Sequence, residues 1–551
     1  MRYYLVVFGF IVSLGIQAQV DTTSSKGAIT MGEVVIEKEK KIELPKGSKR
    51  YQKAKLKEFG MEPLNLTLEA AEPELIWPPY KSDVQFEQVA KSYPKSKYQN
   101  YLRLGYGNYG SPLAELGVFE DLGVFRTSSR LFFESFNTGP VNGKNSGNSL
   151  GSIDLAAAYK SENFQITPHV NFENRQYRFY GNTDRMNSGF VSEDIPRVNA
   201  SIVDFQINTV GEVGDFSYYI TPSVRFSNQN EKDGLDINNE SVLGGIGGIS
   251  FSIDKQISSG FDLEGYTSSY RSGITYDRSL FSLSPWVKYA IEDFSLKGGF
   301  SLATGKSGEI RQSGFYPTIK ADWEFADKWS VYGQLSGNVE WNGLSELLNE
   351  NEFLDDSLSI RNVENPLILE GGLIGSPIKN LTFETSLTLN NRNNLPFYVP
   401  SSTDSSRFTI AFDDQTVNQV TFKTSVSYAP TTISVYKASL ALNSYSVNSL
   451  DRPWHLPSYI FKLSTSHNIK QKLLFSASLI SMGGIRAPAN VDFGIVNLKS
   501  FLDVGIDLKY LITERASVWV GVNNIGNTEY ERYLGYPVRS INFKIGAQYR
   551  F

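Results

Sequence analysis

Apolar and polar residues alternate with a period of two along most of the chain. In its last segment, Ile541, Phe543, Ile545, Ala547, Tyr549 and Phe551 share one face, and Asn542, Lys544, Gly546, Gln548 and Arg550 share the other. That period marks a β-strand with one oily and one wet side. Phe216, Tyr218, Ile220, Pro222, Val224 and Phe226 alternate in the same way with Ser217, Tyr219, Thr221, Ser223, Arg225 and Ser227. Leu381, Phe383, Thr385, Leu387 and Leu389 alternate with Thr382, Glu384, Ser386, Thr388 and Asn390. Charge on one side of a strand and hydrocarbon on the other is what a lipid-facing wall around a wet lumen requires. A soluble β-sandwich would keep charges off its inner faces, and no blade-length repeat marks a propeller.

The connections between strands alternate in length. Short ones fall at 121–123, 160–163, 212–215, 255–260, 292–293, 326–328, 377–380, 429–432, 470–472 and 513–515. Long ones lie near 137–148, 182–196, 229–239, 306–313, 341–365, 392–415, 446–457, 485–496 and 526–538. Outer-membrane barrels have short periplasmic turns and longer outer loops. Pairing the segments off predicts an all-β fold, a transmembrane antiparallel barrel of about 22 strands over 97–551, with both termini periplasmic. The first hairpin (98–120) and the stretch 403–428 are where that count is least constrained.

The beginning of the chain reads differently. Arg2, the apolar run Leu5 to Ile16 and the small residue Ala18 make a secretory signal peptide over 1–18, too short to span a membrane. Residues 19–96 then carry few alternating segments. From Lys38 to Lys57, nine basic residues stand against Glu39 and Glu43. This segment reads as an extended periplasmic N-terminal arm, either a soluble tether or a contact for phosphates or an acidic partner. An exported chain rich in Tyr (30), Phe (35) and Gly (46) with no helical span points to the outer membrane of a Gram-negative bacterium. Lipid and lipopolysaccharide are then its surroundings. A net charge of −5 implies no affinity for nucleic acid, and the absence of cysteine excludes disulfides and thiolate metal sites.

The end of the chain carries a family resemblance. Val522-Asn523-Asn524-Ile525-Gly526-Asn527-Thr528-Glu529-Tyr530, then Tyr536-Pro537 and Arg539, then the strand closing on Tyr549-Arg550-Phe551, resembles the C-terminal end of TonB-dependent receptor barrels. The resemblance implies that Tyr549 and Phe551 form the terminal aromatic signal read by the barrel-assembly machinery. Such receptors carry a plug domain longer than the 19–96 segment, and none of the plug's Gly-rich motifs is recognisable here. Glu33, Val34, Val35 and Ile36 resemble the short box that pairs with a TonB-type transducer. Strand addition needs only an extended, unpaired backbone, so the same four residues also read as a strand that docks on the rim or on another outer-membrane protein.

Candidate chemistry is sparse. His169 falls on the wet face beside Gln165, Thr167, Asn171 and Glu173 and reads as a polar lumen residue. His455 falls at an outer-loop tip and His467 near a periplasmic turn, neither with a second ligand at metal spacing. No enzyme, cofactor or metal is expected. The longest loop holds Glu346, Glu350, Glu352, Asp355 and Asp356 among Leu344, Leu347, Leu348, Phe353, Leu354 and Leu358. The expected reading is a solvated acidic loop, with a short amphipathic helix over the mouth, in contact with ligand or lipopolysaccharide, as the functional counterpart. Two functions follow: a receptor-type barrel without a full plug that admits or transports a solute, or a non-transporting barrel that scaffolds a larger outer-membrane complex. An open lumen of 22 strands would leak, so the arm, inward-folded loops or a partner must fill it.

Overall fold

The computed structural model describes residues 100–141, 143–181, 195, 197–231, 236–356, 358–489 and 494–551. Within them, 22 antiparallel strands form one closed sheet in which each strand pairs with its neighbour in the chain. Closure comes from the first strand, Tyr101–Gly107, pairing with the last, Asn542–Arg550, from Tyr101↔Arg550 to Gly107↔Lys544. Closure leaves no edge with unpaired backbone groups, the condition for crossing a bilayer with strands. No described helix is long and apolar enough to cross a membrane.

The alternation in the sequence is the inside and outside of this barrel. On the last strand Phe543 and Ile545 point outward, 48% and 63% exposed, whereas Lys544 and Gln548 point inward and are 7% and 6% exposed. Leu104, Leu131, Ile220, Leu302, Ile319 and Phe422 continue the bare outer surface. Exposed apolar side chains around a whole sheet, with buried polar ones behind them, invert a soluble core and match a hydrocarbon surround. Outward aromatic pairs mark the short-turn end: Tyr159 with Phe164, Phe216 with Phe251, Trp323 with Phe325, Tyr428 with Tyr436. Such a girdle sits where headgroups meet acyl chains.

The inward wall is a lattice of charge and aromatic rings. Where the sheet closes, Trp519 lies flat across Gly105 and Gly546, where any Cβ would collide with its ring. Arg103 stacks on it 4.0 Å from the ring centroid and pairs with Glu115, which also accepts from Arg130 and Tyr101. His169, also on the wall, is bonded to Asp154 (2.6 Å) and Gln206 (3.2 Å). His467 faces outward instead, against Tyr436 and Phe475 at the short-turn end.

The strand count from the sequence holds, and the differences lie in the loops. The first hairpin turns tightly through Tyr109 and Gly110, both at positive φ, the geometry that suits a right-twisted hairpin. The stretch 403–428 contains part of a small separate hairpin, Phe397–Pro400 with Phe408–Ala411, before the barrel strand Val417–Thr431. The loop expected near 306–313 is only a tight turn through Gly308, because Phe294–Ser307 and Ile310–Ala326 stay paired to their ends. Ile257–Arg271 and Thr275–Ile291 likewise form a long hairpin where no long loop was expected. Crossing a bilayer needs only about 9–11 residues, so these hairpins stand clear of it as ordinary water-exposed β-ribbon. The segments 1–18 and 19–96 lie outside the described residues; the described chain begins at Asn100, whose carbonyl accepts from the Phe551 amide (3.0 Å) at the short-turn end.

Replacing Ile545, at mid-height on the outer face, by lysine should destabilise the barrel by about 2–4 kcal/mol. Lys288→Gln, on the wet face, should change stability by no more than about 0.5 kcal/mol. Reversible urea unfolding in lipid vesicles reads both.

Candidate functional site

The longest loop folds inward across the mouth. Its helix α1, Leu344–Glu350, has an apolar stripe, Leu344, Leu347 and Leu348, that is entirely buried. A helix this short is marginal alone, so its ends are held by neighbours. The Leu344 amide donates to Glu240 Oε2 (2.6 Å) on the barrel wall, and Glu346 reaches back to the Gly343 amide (3.0 Å). Two carboxylates at a helix N-terminus satisfy orphan amides and oppose the helix dipole favourably.

The wall was built to receive this loop. Arg278, with Glu240, forms a fully buried ion pair (2.7 Å). Its other nitrogen donates to the Asn342 carbonyl (2.7 Å) and Asn362 Oδ1 (2.9 Å), so a single guanidinium clamps both ends of the loop. Arg175 donates to the Leu348 carbonyl (3.0 Å) and Asn349 (2.6 Å). Gln229 donates to the Leu354 carbonyl (3.2 Å) and Asn238 to that of Asp355 (2.8 Å). Tyr276 donates to the Leu358 carbonyl (3.1 Å) and accepts from the Ile360 amide (2.7 Å). Polar side chains at the tops of four strands thus replace water for the backbone of one loop.

Other loops meet it. Phe353 stacks on Tyr536 at 3.5 Å, and Tyr536 packs on Tyr180 at 4.9 Å. Phe408 contacts Tyr533 and Tyr536, and its backbone pairs with Phe353 and Asp355. Tyr180, Phe353 and Tyr536 come from loops rooted at three well-separated places on the rim. Side chains that start so far apart and touch can do so only across the opening, so this aromatic core spans the mouth.

The sequence-predicted residues take distinct places. Glu346 pairs with Arg225, which also holds Asp204 (2.6 Å). Burial opposes charge on Glu346, but the Arg225 guanidinium, the Ser345 hydroxyl and the Gly343 amide outweigh it and keep its carboxyl below the usual range. Glu350 accepts from Tyr398 (3.0 Å), and burial pushes its carboxyl up, as it does those of Glu352 and Asp355. Arg407 lies 3.7 Å from Asp355. Of the five acids, Asp356 stays exposed. The expectation of a solvated acidic loop is therefore corrected: leucines at helical spacing bury the loop, Arg225 on the wall pairs with Glu346, and Arg407 from a neighbouring loop faces Asp355. His455, expected at a loop tip, is 1% exposed. Its Nδ1 donates to the Tyr398 carbonyl (2.8 Å) and Nε2 accepts from the Leu534 amide (3.3 Å), which fixes a neutral ring. Burial lowers its pKa to about 3.

Tyr549 and Phe551 lie on the outward face at the short-turn end, each 48% exposed. The motif before the last strand has a structural cause. Asn524 and Asn527 take left-handed backbone conformations. The Asn524 side chain ties the Thr528 and Arg539 carbonyls (2.9 Å each), and Asn527 accepts from the Ile541 amide (3.0 Å). Tyr530 stacks on Phe501 at 3.7 Å and donates to Asp503 (2.8 Å). Glu33, Val34, Val35 and Ile36 lie outside the described residues. Sequence reasoning placed Arg225 on a wet strand face and Tyr536 in the closing motif without a role at the mouth, and did not single out Arg278 or Tyr533.

No protein-family model and no curated protein sequence matches the chain. Solved structures do. The FrpB iron transporter from Neisseria meningitidis (F3-3 variant) superposes with a TM-score of 0.65 at 11% identity, over 83% of this chain and 82% of that one. The ferripyoverdine receptor of the outer membrane of Pseudomonas aeruginosa gives 0.62 at 12% identity, over 83% and 72%. The ferric-catecholate import receptor Fiu from E. coli K12 gives 0.60 at 10%, over 83% and 82%. The fold is that of the TonB-dependent receptor barrels. In this barrel the described loops cover the mouth with a packed core of their own.

Arg278→Met would strand the Glu240 charge and release both ends of the loop, a loss of about 3–5 kcal/mol. Limited proteolysis should then cut within 341–362 while the barrel stays resistant. His455 is stabilised neutral, so its contribution is intact above the unfolded-state pKa near 6.5 and is lost as pH falls towards 3. The raised carboxyls act in the opposite sense, so the comparison must be with His455→Gln. Between pH 7 and pH 5 the loop core of the native protein should lose about 2 kcal/mol relative to that variant, read by tyrosine fluorescence during unfolding.

Proposed function

We propose that this chain is an outer-membrane barrel that admits or transports a solute, with the loop core as its outer gate. The observation that carries the reading is the joining of side chains from well-separated loops across the mouth of a 22-stranded barrel. A lumen that wide must be closed, and a closure made of hydrogen-bonded loops can be opened by whatever competes for their partners. The receptor fold and the neighbours' printed roles as an iron transporter, a ferripyoverdine receptor and an import receptor support it. On this reading the short-turn end and both termini are periplasmic. Residues 1–18 are the signal peptide, and 19–96 are a periplasmic arm. Glu33 to Ile36 offer a strand to a TonB-type transducer, and Tyr549 and Phe551 are read by the assembly machinery. Glu346, Glu350, Glu352, Asp355 and Asp356 act from within the gate or at its edge rather than as a free acidic surface.

A second reading is favoured by the depth of packing in the same loops. Leu344, Leu347 and Leu354 have no exposed surface, which suits a rigid platform in a larger outer-membrane complex. Single-channel conductance in planar bilayers separates the two. The intact protein should be silent, and replacing 344–356 by a Gly-Ser linker should give large, stable openings, alone or together with deletion of 20–90. Silence in every form, with a partner retained through mild detergent extraction, would establish the scaffold reading instead.

A further inference from the structure

The outer wall carries a groove that neither the gate nor the lumen uses. It runs over the strands Asp236–Ser252 to Ile310–Ala326 towards the long-loop end. Its floor is Thr304 and Ser313, small residues between the outward rings of Phe281 and Phe315, which are 51% and 62% exposed, with Gly265 on the far side of Phe281. Strand register puts these residues in rows. Gly265, Phe281, Thr304 and Ser313 are successive cross-strand partners, and one step towards the bilayer centre lie Leu263, Leu283, Leu302 and Phe315. One step the other way lie Thr267, Ser279, Lys306 and Arg311.

Lys306 and Arg311 are therefore directly opposite each other, both outward and both exposed. Like charges in that relation destabilise a sheet unless something bridges them. No hydrogen bond or ion pair engages either side chain among the described residues. Asp277 and Glu309, the nearby carboxylates, lie beyond the pair towards the hairpin tip, and no acid lines the groove. The outward apolar residues below, from Leu302 and Phe315 to Phe294 and Trp323, fill the height of a bilayer, so the cations stand at headgroup level.

We propose that this groove holds one phosphorylated glycolipid of the outer leaflet, its phosphate bridged by Lys306 and Arg311 and an acyl chain laid over Thr304 and Ser313 between Phe281 and Phe315. The proposal rests on the outer-membrane reading above but on none of its transport steps. The occupant is a lipid because the wall faces the bilayer. It is anionic because two adjacent unpaired guanidinium and ammonium groups form a bidentate and a point-charge donor to one phosphate.

The test is native mass spectrometry of the purified full-length barrel with bis-phosphorylated lipid A added in detergent, against the same lipid A with both phosphates removed. The intact protein should retain one lipid A through detergent exchange. Lys306→Gln with Arg311→Gln should weaken that retention at least about tenfold, which the loss of either charge-assisted contact alone would give. Thr304→Trp, which fills the floor and leaves the cations in place, should also displace it. All three positions lie on the outer face, away from the lumen and the loop core, and heat-modifiable migration on gels confirms folding. Equal retention of the dephosphorylated lipid, or retention unchanged in both variants, would overturn the proposal. Failure of the outer-membrane reading would appear separately, as fractionation of the protein away from the outer membrane.

Discussion

The mouth of this barrel depends on one buried ion pair. Arg278 and Glu240 are wholly removed from solvent, and each charge has a second task. The guanidinium holds Asn342 and Asn362 at the two ends of the loop; the carboxylate caps the first turn of α1 and accepts from Ser268 (2.8 Å). A buried pair is seldom worth much against an apolar replacement. Its value here is geometric, because it fixes where a long loop leaves and rejoins the wall. Once those points are fixed, leucines at helical spacing can only fall inward, and Phe353 is carried to Tyr536.

Two different solvents shape the rest. Below the rim, hydrocarbon outside and water inside invert the usual arrangement, so the outer surface is apolar and the polar side chains are enclosed. Above it the sheet has water on its outer side, and hydrophobic burial again works in the ordinary direction. The loops therefore condense into conventional cores, one around Phe353, one around Trp454 and one around Phe501. Gating, on the proposed reading, is a competition between a solute and those loop-to-wall hydrogen bonds. Each net bond is worth only about 1 kcal/mol in an exchange with a good partner, which makes a well-packed cover compatible with opening.

The same boundary organises the outside of the wall. Hairpins that run past the bilayer present their outward faces first to acyl chains, then to headgroups, then to water. A cation pair such as Lys306 and Arg311 is costly in the first of these and uncompensated in the last. At the level between, a phosphate relieves it, and the small residues beneath give an acyl chain somewhere to lie.

The alternation of side chains determined the barrel. A period of two with oily and charged faces, repeated without a helical core, leaves a closed lipid-facing sheet as the consistent solution, and the spacing of the connections indicated about 22 strands. The last strand and the Asn524 turn were legible because their reasons are local: register, left-handed backbone and side-chain capping. What the sequence could not disclose was the fate of the loops. Glu346 and Glu350 look solvated until Arg225 and Tyr398 are brought to them from distant parts of the chain, and His455 looks like a loop tip until Phe408 and Tyr533 close over it. Those contacts join residues far apart along the chain, and no local periodicity encodes them. Only closure of the sheet, which sets the rim positions from which each loop starts, decided that they meet.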